Sequence, residues 1–383
     1  MAGLYLHIPF CKQACHYCNF HFSTSLKQKP AMVQAILREL ELRQAYLENK
    51  PLSSIYFGGG TPSLLDAAEL DAIFNRIGAL FSIAEGAEIT LEANPDDLTA
   101  DKLQSLRQTP VNRLSIGIQS FAEADLQFMN RAHNAREAKA CIENALALGF
   151  ENLTVDLIYG SPTTSDAQWI ENIETVVHYG IPHVSCYALT VEERTALAHF
   201  VKTGKAPALD EEHAARQFEI LTAMLADAGY EHYEISNFAK PGWHARHNSS
   251  YWFGEPYLGV GPAAHSFDGR QTRQWNIPNN ALYIRALTEA EPLLELPRQI
   301  FEQEILTPTQ RYNEYVMTSL RTMWGVQMPQ LQTFGLEFEQ HFLKTVQDFI
   351  AKGWVIQRAD AFILTMEGKL LADFIAAELF KDA

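Results

Sequence analysis

Residues 53–62 read Ser-Ser-Ile-Tyr-Phe-Gly-Gly-Gly-Thr-Pro (SSIYFGGGTP). A short β-branched and aromatic run that ends on glycine has the composition of a strand. Three glycines before Thr-Pro let the backbone turn with positive φ and approach a ligand without a side chain in the way. A structural turn accounts for one or two glycines. Gly58, Gly59 and Gly60 followed by Thr61 point to a contact surface at a strand end.

Outward from this stretch the same unit recurs. LYLHI (4–8), EITLEA (88–93), NRLSIGI (112–118), LTVDLIY (153–159) and HVSCYAL (183–189) are further strand candidates. Between them lie runs with helical periodicity, such as PAMVQAILRELELRQAYL (30–47) and LLDAAELDAIFNRIGALF (64–81). Strands alternating with helices predict βαβ units and a parallel sheet. Six such units with no GxGxxG turn after the first strand favour a partial TIM-like (β/α)6 barrel over a dinucleotide-binding sheet. The unusual endings GGGTP, EANPDD, IQS and DLIYGSP all fall at strand C-termini, the face on which barrel enzymes assemble their sites.

The predicted barrel covers 1–235. Pro and Gly punctuate residues 237–270, NFAKPGWHARHNSSYWFGEPYLGVGPAAHSFDGR, so 236–296 is expected to be an irregular, aromatic-rich connector. From 297 to 383 the pattern turns mainly helical: EQEILTPTQRYNEYVMTSLRTMW (302–324), LEFEQHFLKTVQDFIAKG (336–353) and GKLLADFIAAELF (368–380), with a hairpin WVIQRADAFILT (354–365). This order predicts a winged-helix-like C-terminal domain, whose acidic balance points to a docked lid or a partner surface and away from DNA.

The chain has 383 residues, 47% of them hydrophobic, and a formal charge of −16. Such a charge repels polyanions, so nucleic acid is not an expected partner. The N-terminal MAGLYLHIPFC has no basic leader, and no apolar run reaches the roughly 18 residues of a membrane span, so a cytoplasmic location without stable membrane insertion is expected. In that compartment five cysteines, three of them within CKQACHYCNF (11–20), suggest metal or redox chemistry. Cys141 and Cys186 sit in apolar runs as core residues.

Cys11, Cys15 and Cys18, spaced C-x3-C-x2-C, can converge on an iron–sulfur cluster or on zinc. A structural zinc needs a fourth ligand, for which His7, His16 and His21 are the nearby choices. A cluster held by three thiolates leaves one iron open.

The C-x3-C-x2-C loop after a first strand and GGGTP after the second resemble the radical S-adenosylmethionine (SAM) superfamily. The longer set YLHIPFC…CNF, EANP, GIQS, NR, VDLIYG and HNSSYW is similar to the oxygen-independent coproporphyrinogen oxidase group, most closely its HemW branch of haem chaperones. The resemblance covers essentially the whole chain and implies a [4Fe–4S] cluster on Cys11, Cys15 and Cys18 whose open iron takes SAM. It implies SAM contacts from Tyr5, Tyr17, the Gly59-Gly60-Thr61 turn and Glu92, a carboxylate able to accept from a ribose or ammonium group. It matches Gln119, Arg131 and Asp156 to positions that bind a second SAM in the oxidase branch. As residues alone, Tyr5 and Tyr17 read as packing aromatics, Arg131 as a surface ion pair and Asp156 as a helix cap.

Two departures separate the chain from the oxidases: Asn19-Phe20 stands where those enzymes continue to a further cysteine, and the first strand starts almost at once. The stretch Trp243-His244-Ala245-Arg246-His247-Asn248-Ser249-Ser250-Tyr251-Trp252 carries the HNxxYW motif of the chaperone branch. Its histidines can ligate iron, its aromatics can cover a macrocycle and Arg246 can pair with a propionate. His247 is the leading expected haem ligand, ahead of His244; as a residue alone it reads as a hydrogen-bonded anchor. The expected partners are haem, an acceptor protein and a reductant for the cluster. Oxidative decarboxylation of coproporphyrinogen III is the alternative activity.

Overall fold

The computed structural model describes residues 1–288 and 294–382. Residues 289–293, within the expected connector, and Ala383 lie outside the described residues. Six strands follow the order of the sequence: β1 (Ala2–Ile8), β2 (Leu52–Gly59), β3 (Ile83–Ala93), β4 (Arg113–Gln119), β5 (Leu153–Tyr159) and β6 (His183–Ala188). They pair side by side in parallel, each neighbour following the last, and form the expected partial barrel.

The helices between them start on side-chain caps that the sequence spells out. Asp66 with Glu69, Asn134 with Glu137 and Ser165 with Gln168 form reciprocal capping boxes ahead of helices Ala67–Leu80, Ala135–Ala147 and Asp166–His178. Alternate strand residues face these helices: Leu4, Leu6, Ile55, Phe57, Leu91, Leu114, Val155 and Leu157 belong to one continuous buried core. The intervening positions face the barrel interior and are polar or aromatic, among them Tyr5, Tyr56, Thr90, Glu92, Ser115 and Asp156.

The expected irregular connector takes a more ordered form. After β7 (Glu231–Glu234) and β8 (Asn237–Ala239), which extend the sheet beyond β6, the chain returns to its other side as β9 (Tyr257–Val260), β10 (His265–Phe267), β11 (Thr272–Asn276) and β12 (Phe301–Ile305). β9 pairs in parallel with β1, and β10 to β12 continue antiparallel. Residues 302–305, read from sequence as helical, are thus an edge strand. The helix begins only at Pro308, whose missing N–H and fixed φ suit a first helical turn, behind the Thr307 and Gln310 capping box.

The C-terminal unit has its own core, centred on Tyr312, Val316, Leu320, Phe342, Val346 and Phe362. Helices Pro308–Leu320, Met328–Gln332 and Leu336–Ala351 precede the hairpin of β14 (Val355–Arg358) and β15 (Ala361–Leu364), to which β13 (Val326–Gln327) adds a third strand. This is the helix order and wing of the winged-helix pattern. The expected last helix is two pieces, Met366–Leu370 and Ala372–Leu379. The unit docks on the barrel sheet through Ile235 N to Arg321 O (3.0 Å), Met323 N to Tyr233 O (2.9 Å) and the Arg321–Glu234 ion pair (3.3 Å). No helix among the described residues is long and apolar enough to cross a membrane.

Candidate functional site: the cysteine loop and the barrel mouth

The cysteine loop leaves β1 and is fastened at several points. Cys11 N donates to Ser23 O (3.1 Å), and Thr61 N, just past the glycines, donates to Phe10 O (2.7 Å). Gln13 Nε2 donates to both Asn130 O (2.9 Å) and Asn130 Oδ1 (3.0 Å), and Asn130 Nδ2 returns a bond to Ala14 O (2.8 Å). Asn130 holds φ at 56°, a left-handed value that asparagine tolerates better than most residues. His16 N and Nδ1 bond Met129 O (3.0 Å) and Phe128 O (2.9 Å). Lys12 pairs with Asp96 (2.8 Å) and with Asp97 in the loop after β3. The loop's backbone is therefore set before any ligand binds.

The three thiols are half-buried. Burial pushes the Cys11 thiol up to about 11 despite a hydrogen bond from Thr61, and burial also raises Cys18. Such thiols need a cation to become thiolates near neutral pH. Among the described residues no three His, Cys, Asp or Glu side chains converge on a single-ion site. The three histidines considered as a fourth zinc ligand have other partners. His7 bonds Tyr5 OH (3.1 Å) and His21 O (2.9 Å), His21 bonds Asn280 (2.7 Å), and His16 is held as above. His7 has both ring nitrogens engaged and His16 and His21 one each, so a three-thiol donor set fits a cluster better than closed zinc.

The glycine turn brings backbone against this loop. A Cβ on Gly60 would lie 2.5 Å from Phe10 O and 2.6 Å from Ile8 O, and one on Gly59, at φ 100°, would lie 2.5 Å from the His7 ring. On the interior side, Gly58 leaves room for Tyr5, Tyr56 and Glu92, whose Oε1 would be 3.0 Å from its Cβ. Tyr56 OH donates to Glu92 Oε1 (2.7 Å) and stacks on Tyr5 at 6.1 Å. Burial and the nearby Asp156 raise Glu92 to about 7, against the hydrogen bond from Tyr56. Asp156 rises to about 6, again through burial, with Ser185, Arg113 and Arg131 opposing. It is an interior carboxyl, not a helix cap.

Arg131 links cysteine loop and barrel. Its Nη1 lies 3.1 Å from Cys15 Sγ and 3.3 Å from Tyr17 OH, and its Nη2 donates to Asn94 Oδ1 (2.8 Å) and Gly117 O (2.7 Å). This replaces the reading as a surface ion pair. Gln119 ends β4 next to a register shift, at φ 70°. That value is costly for a residue with a side chain and is usually kept at functional positions. Arg131 Nε, Thr90 Oγ1 and Asp96 Oδ1 are buried with no hydrogen-bond partner among the described residues, and a polar ligand at the barrel mouth would supply what such atoms lack. Tyr5, Tyr17, Gly59, Gly60, Thr61, Glu92, Gln119, Arg131 and Asp156 thus border the loop or the interior it faces. Tyr56 and Asn94 are additions. Tyr56 was legible as the interior position two residues before Gly58, and Asn94 as part of EANP.

His247 does not belong to this group. It is 1% exposed, with Nδ1 on Ser54 Oγ (2.8 Å) and Nε2 on Tyr251 OH (2.8 Å), and its ring stacks on Tyr56 at 4.9 Å. Burial lowers it to about 3. With both nitrogens engaged it is a packed interior histidine, and the expectation that it ligates haem is not supported by this geometry. His244 bonds Glu231 (2.9 Å), and Arg246 reaches Gly86 O (2.9 Å) near the start of β3. The HNxxYW helix, Arg246–Trp252, instead turns Tyr251 and Trp252 toward a cavity of about 1040 Å3. That cavity runs from Tyr5, Asn19 and Phe20 past β10 and β11 to Tyr315, Trp324 and Phe334 of the C-terminal unit.

A radical SAM superfamily model matches residues 5–191, and a HemN C-terminal domain model matches residues 306–371. A heme chaperone HemW from Mycobacterium tuberculosis is 35% identical over 381 residues, covering 98% of this chain and 94% of that protein. Those of Bacillus subtilis (32%, covering 97% of each) and Escherichia coli (31%, covering 99% and 97%) are also similar. Among solved structures, the Escherichia coli coproporphyrinogen III oxidase (HemN) superposes with a TM-score of 0.84 at 23% identity, covering 99% of this chain and 90% of that one. At that identity the superposition shows a shared fold.

Proposed function

The chain belongs to the HemW haem chaperone family of radical SAM proteins, and on that footing we propose that it binds haem and delivers it to an acceptor protein while carrying a [4Fe–4S] cluster and SAM. Membership of the radical SAM superfamily implies the cluster and SAM. Haem, the acceptor and the reductant are proposals. The observation that carries the haem reading is the cavity of about 1040 Å3, at the upper end of the ~300–1,000 Å3 usual for small-molecule sites, walled by aromatic rings and containing Arg270, Arg273 and Arg311. A flat, largely apolar dianion matches those walls, and although Arg270 pairs with Glu48 and Arg273 with Glu314, Arg311 adds a guanidinium with no ion pair among the described residues for a carboxylate to meet.

Cys11, Cys15 and Cys18 hold the cluster, with Arg131 beside Cys15. When bound, the cluster supplies electron transfer and an open coordination position. The backbone of Gly58–Gly60 seats SAM, Glu92 accepts from its polar hydrogens, and Tyr5 and Tyr17 wall the site. To Gln119, Arg131 and Asp156 we assign contacts with a second SAM, as the family resemblance implies. Phe20 is 68% exposed on the cavity wall just past Cys18, so the cluster loop and the haem space are contiguous.

Anaerobic reconstitution tests the first half. Iron content and the electron paramagnetic resonance of the reduced protein should show a cluster perturbed by SAM, lost in each of Cys11→Ser, Cys15→Ser and Cys18→Ser. Stoichiometric zinc without iron would overturn it. Hemin titration followed by transfer to apo-acceptors tests the second half, which fails if no defined complex forms.

A further inference from the structure

Three histidines line the cavity: His7, His21 and His265. His7 uses both ring nitrogens and His21 uses Nε2, as described. His265 alone among them makes no side-chain hydrogen bond among the described residues. It is exposed, and its ring lies near-parallel to that of Trp275, 6.0 Å away with planes 23° apart. An oriented, unengaged imidazole facing a large cavity is what a metal-bearing ligand requires of its axial donor.

The strand register adds a second feature. His265 pairs with Trp275 and Phe267 with Arg273 across β10 and β11, so all four side chains share one face. That face is a platform of two aromatic rings with one imidazole and one guanidinium diagonal to each other. Arg273 Nη2 is 2.9 Å from Glu314, leaving its buried Nε without a partner. Across the cavity, Arg311 of helix Pro308–Leu320 forms no ion pair among the described residues and lies 6.0 Å from the Phe334 ring. It stands at the seam between barrel and C-terminal unit, one turn before Glu314, whose carboxylate is engaged by Arg273.

We propose that His265 is the axial ligand of haem in this cavity and that Arg311 receives a propionate, clamping the macrocycle between β10–β11 and the C-terminal unit. This rests on the haem reading above and assigns its ligand set.

The test is hemin titration of the full chain, followed by the Soret band, with His265→Ala, Arg311→Gln and His247→Ala. His265→Ala should lose the histidine-ligated spectrum, weaken binding about tenfold or more, and recover the band on adding imidazole. Arg311→Gln should keep the band position and weaken binding several-fold, an effect absent when haem dimethyl ester replaces hemin. Metal-free protoporphyrin should bind wild type and His265→Ala alike, since it has no axial ligand to lose. A wild-type spectrum and affinity in His265→Ala, with loss in a folded His247→Ala, overturns the assignment while leaving haem binding intact. No complex with wild type overturns both. Should His265→Ala fail to fold, the Arg311→Gln comparison of hemin and its ester decides alone, equal affinities for wild type and variant counting against the clamp.

Discussion

At Glu92 a single carboxyl sits at the junction of burial, Tyr56 and the glycine turn. Its raised value, about 7, means that it is largely protonated below neutrality and an acceptor-only carboxylate above. SAM affinity should therefore rise between pH 6 and 8, and Glu92→Gln should remove that rise and weaken binding about tenfold at pH 8. Equilibrium dialysis at both pH values checks it; a wild-type pH profile in the variant would argue against contact. Gly60→Ala is a harsher change. Its Cβ meets backbone of Ile8 and Phe10, which cannot rotate away, so iron incorporation should fall several-fold while the far-ultraviolet circular dichroism stays unchanged. These positions at the barrel mouth were legible because GGGTP and EANP stand at strand ends. The fate of His247 was not, since a ring ligating iron and a ring bonded to Ser54 and Tyr251 ask for the same residue in the same motif.

Among the elements, the strands β1 to β6 were readable from short apolar runs, whereas β9 to β12 were hidden. Their residues, such as Thr272–Asn276 and Phe301–Ile305, are short, polar and interrupted by turns. What orders them is a tertiary latch with no local signal. Glu39, fully buried in helix Lys29–Leu42, accepts from Gly261 N (2.9 Å), Asn276 Nδ2 (2.8 Å), Arg43 Nη1 (3.3 Å) and Tyr283 OH. Arg43 in turn reaches Gly259 O, Ser266 and Gln274. Glu39→Ala strands a buried guanidinium and should cost about 3–5 kcal/mol in urea unfolding. A loss under 1 kcal/mol would mean that the latch is filled by water or not formed. Because β10 and β11 carry the haem platform, the same variant should also blunt hemin affinity.

The whole molecule carries a set of neutral interior histidines. Burial lowers His7 to about 4, His232 and His247 to about 3, and His183 well below its ordinary value. In the unfolded chain these rings take up protons below about pH 6.5; in the fold they do not. Unfolding is therefore favoured as pH falls through that value, by up to ~1.4 kcal/mol per pH unit per ring. His133, at about 4, and His265 are lowered as well. Glu92, Asp156 and Glu314, raised instead, act with the opposite sign, the first two over roughly pH 4 to 7, but three carboxyls are outnumbered by six rings. Thermal melting of the metal-free chain should show a lower midpoint at pH 5 than at pH 7, with a shallower slope in His247→Gln. A midpoint that rises on acidification would show the carboxyls to dominate.

The parallel pairing of β9 with β1 bears on how the molecule is made. The strand that leads into the cysteine loop precedes every other strand of the sheet in the sequence, and β2 can join it early. Its other edge stays open until residues 257–260 emerge, some two hundred and fifty residues later. Closure over that sequence distance is slow. Until β9 arrives, a pairable edge lies directly beside the cysteine loop, so cluster delivery after the C-terminal half has sealed β1 meets a finished loop.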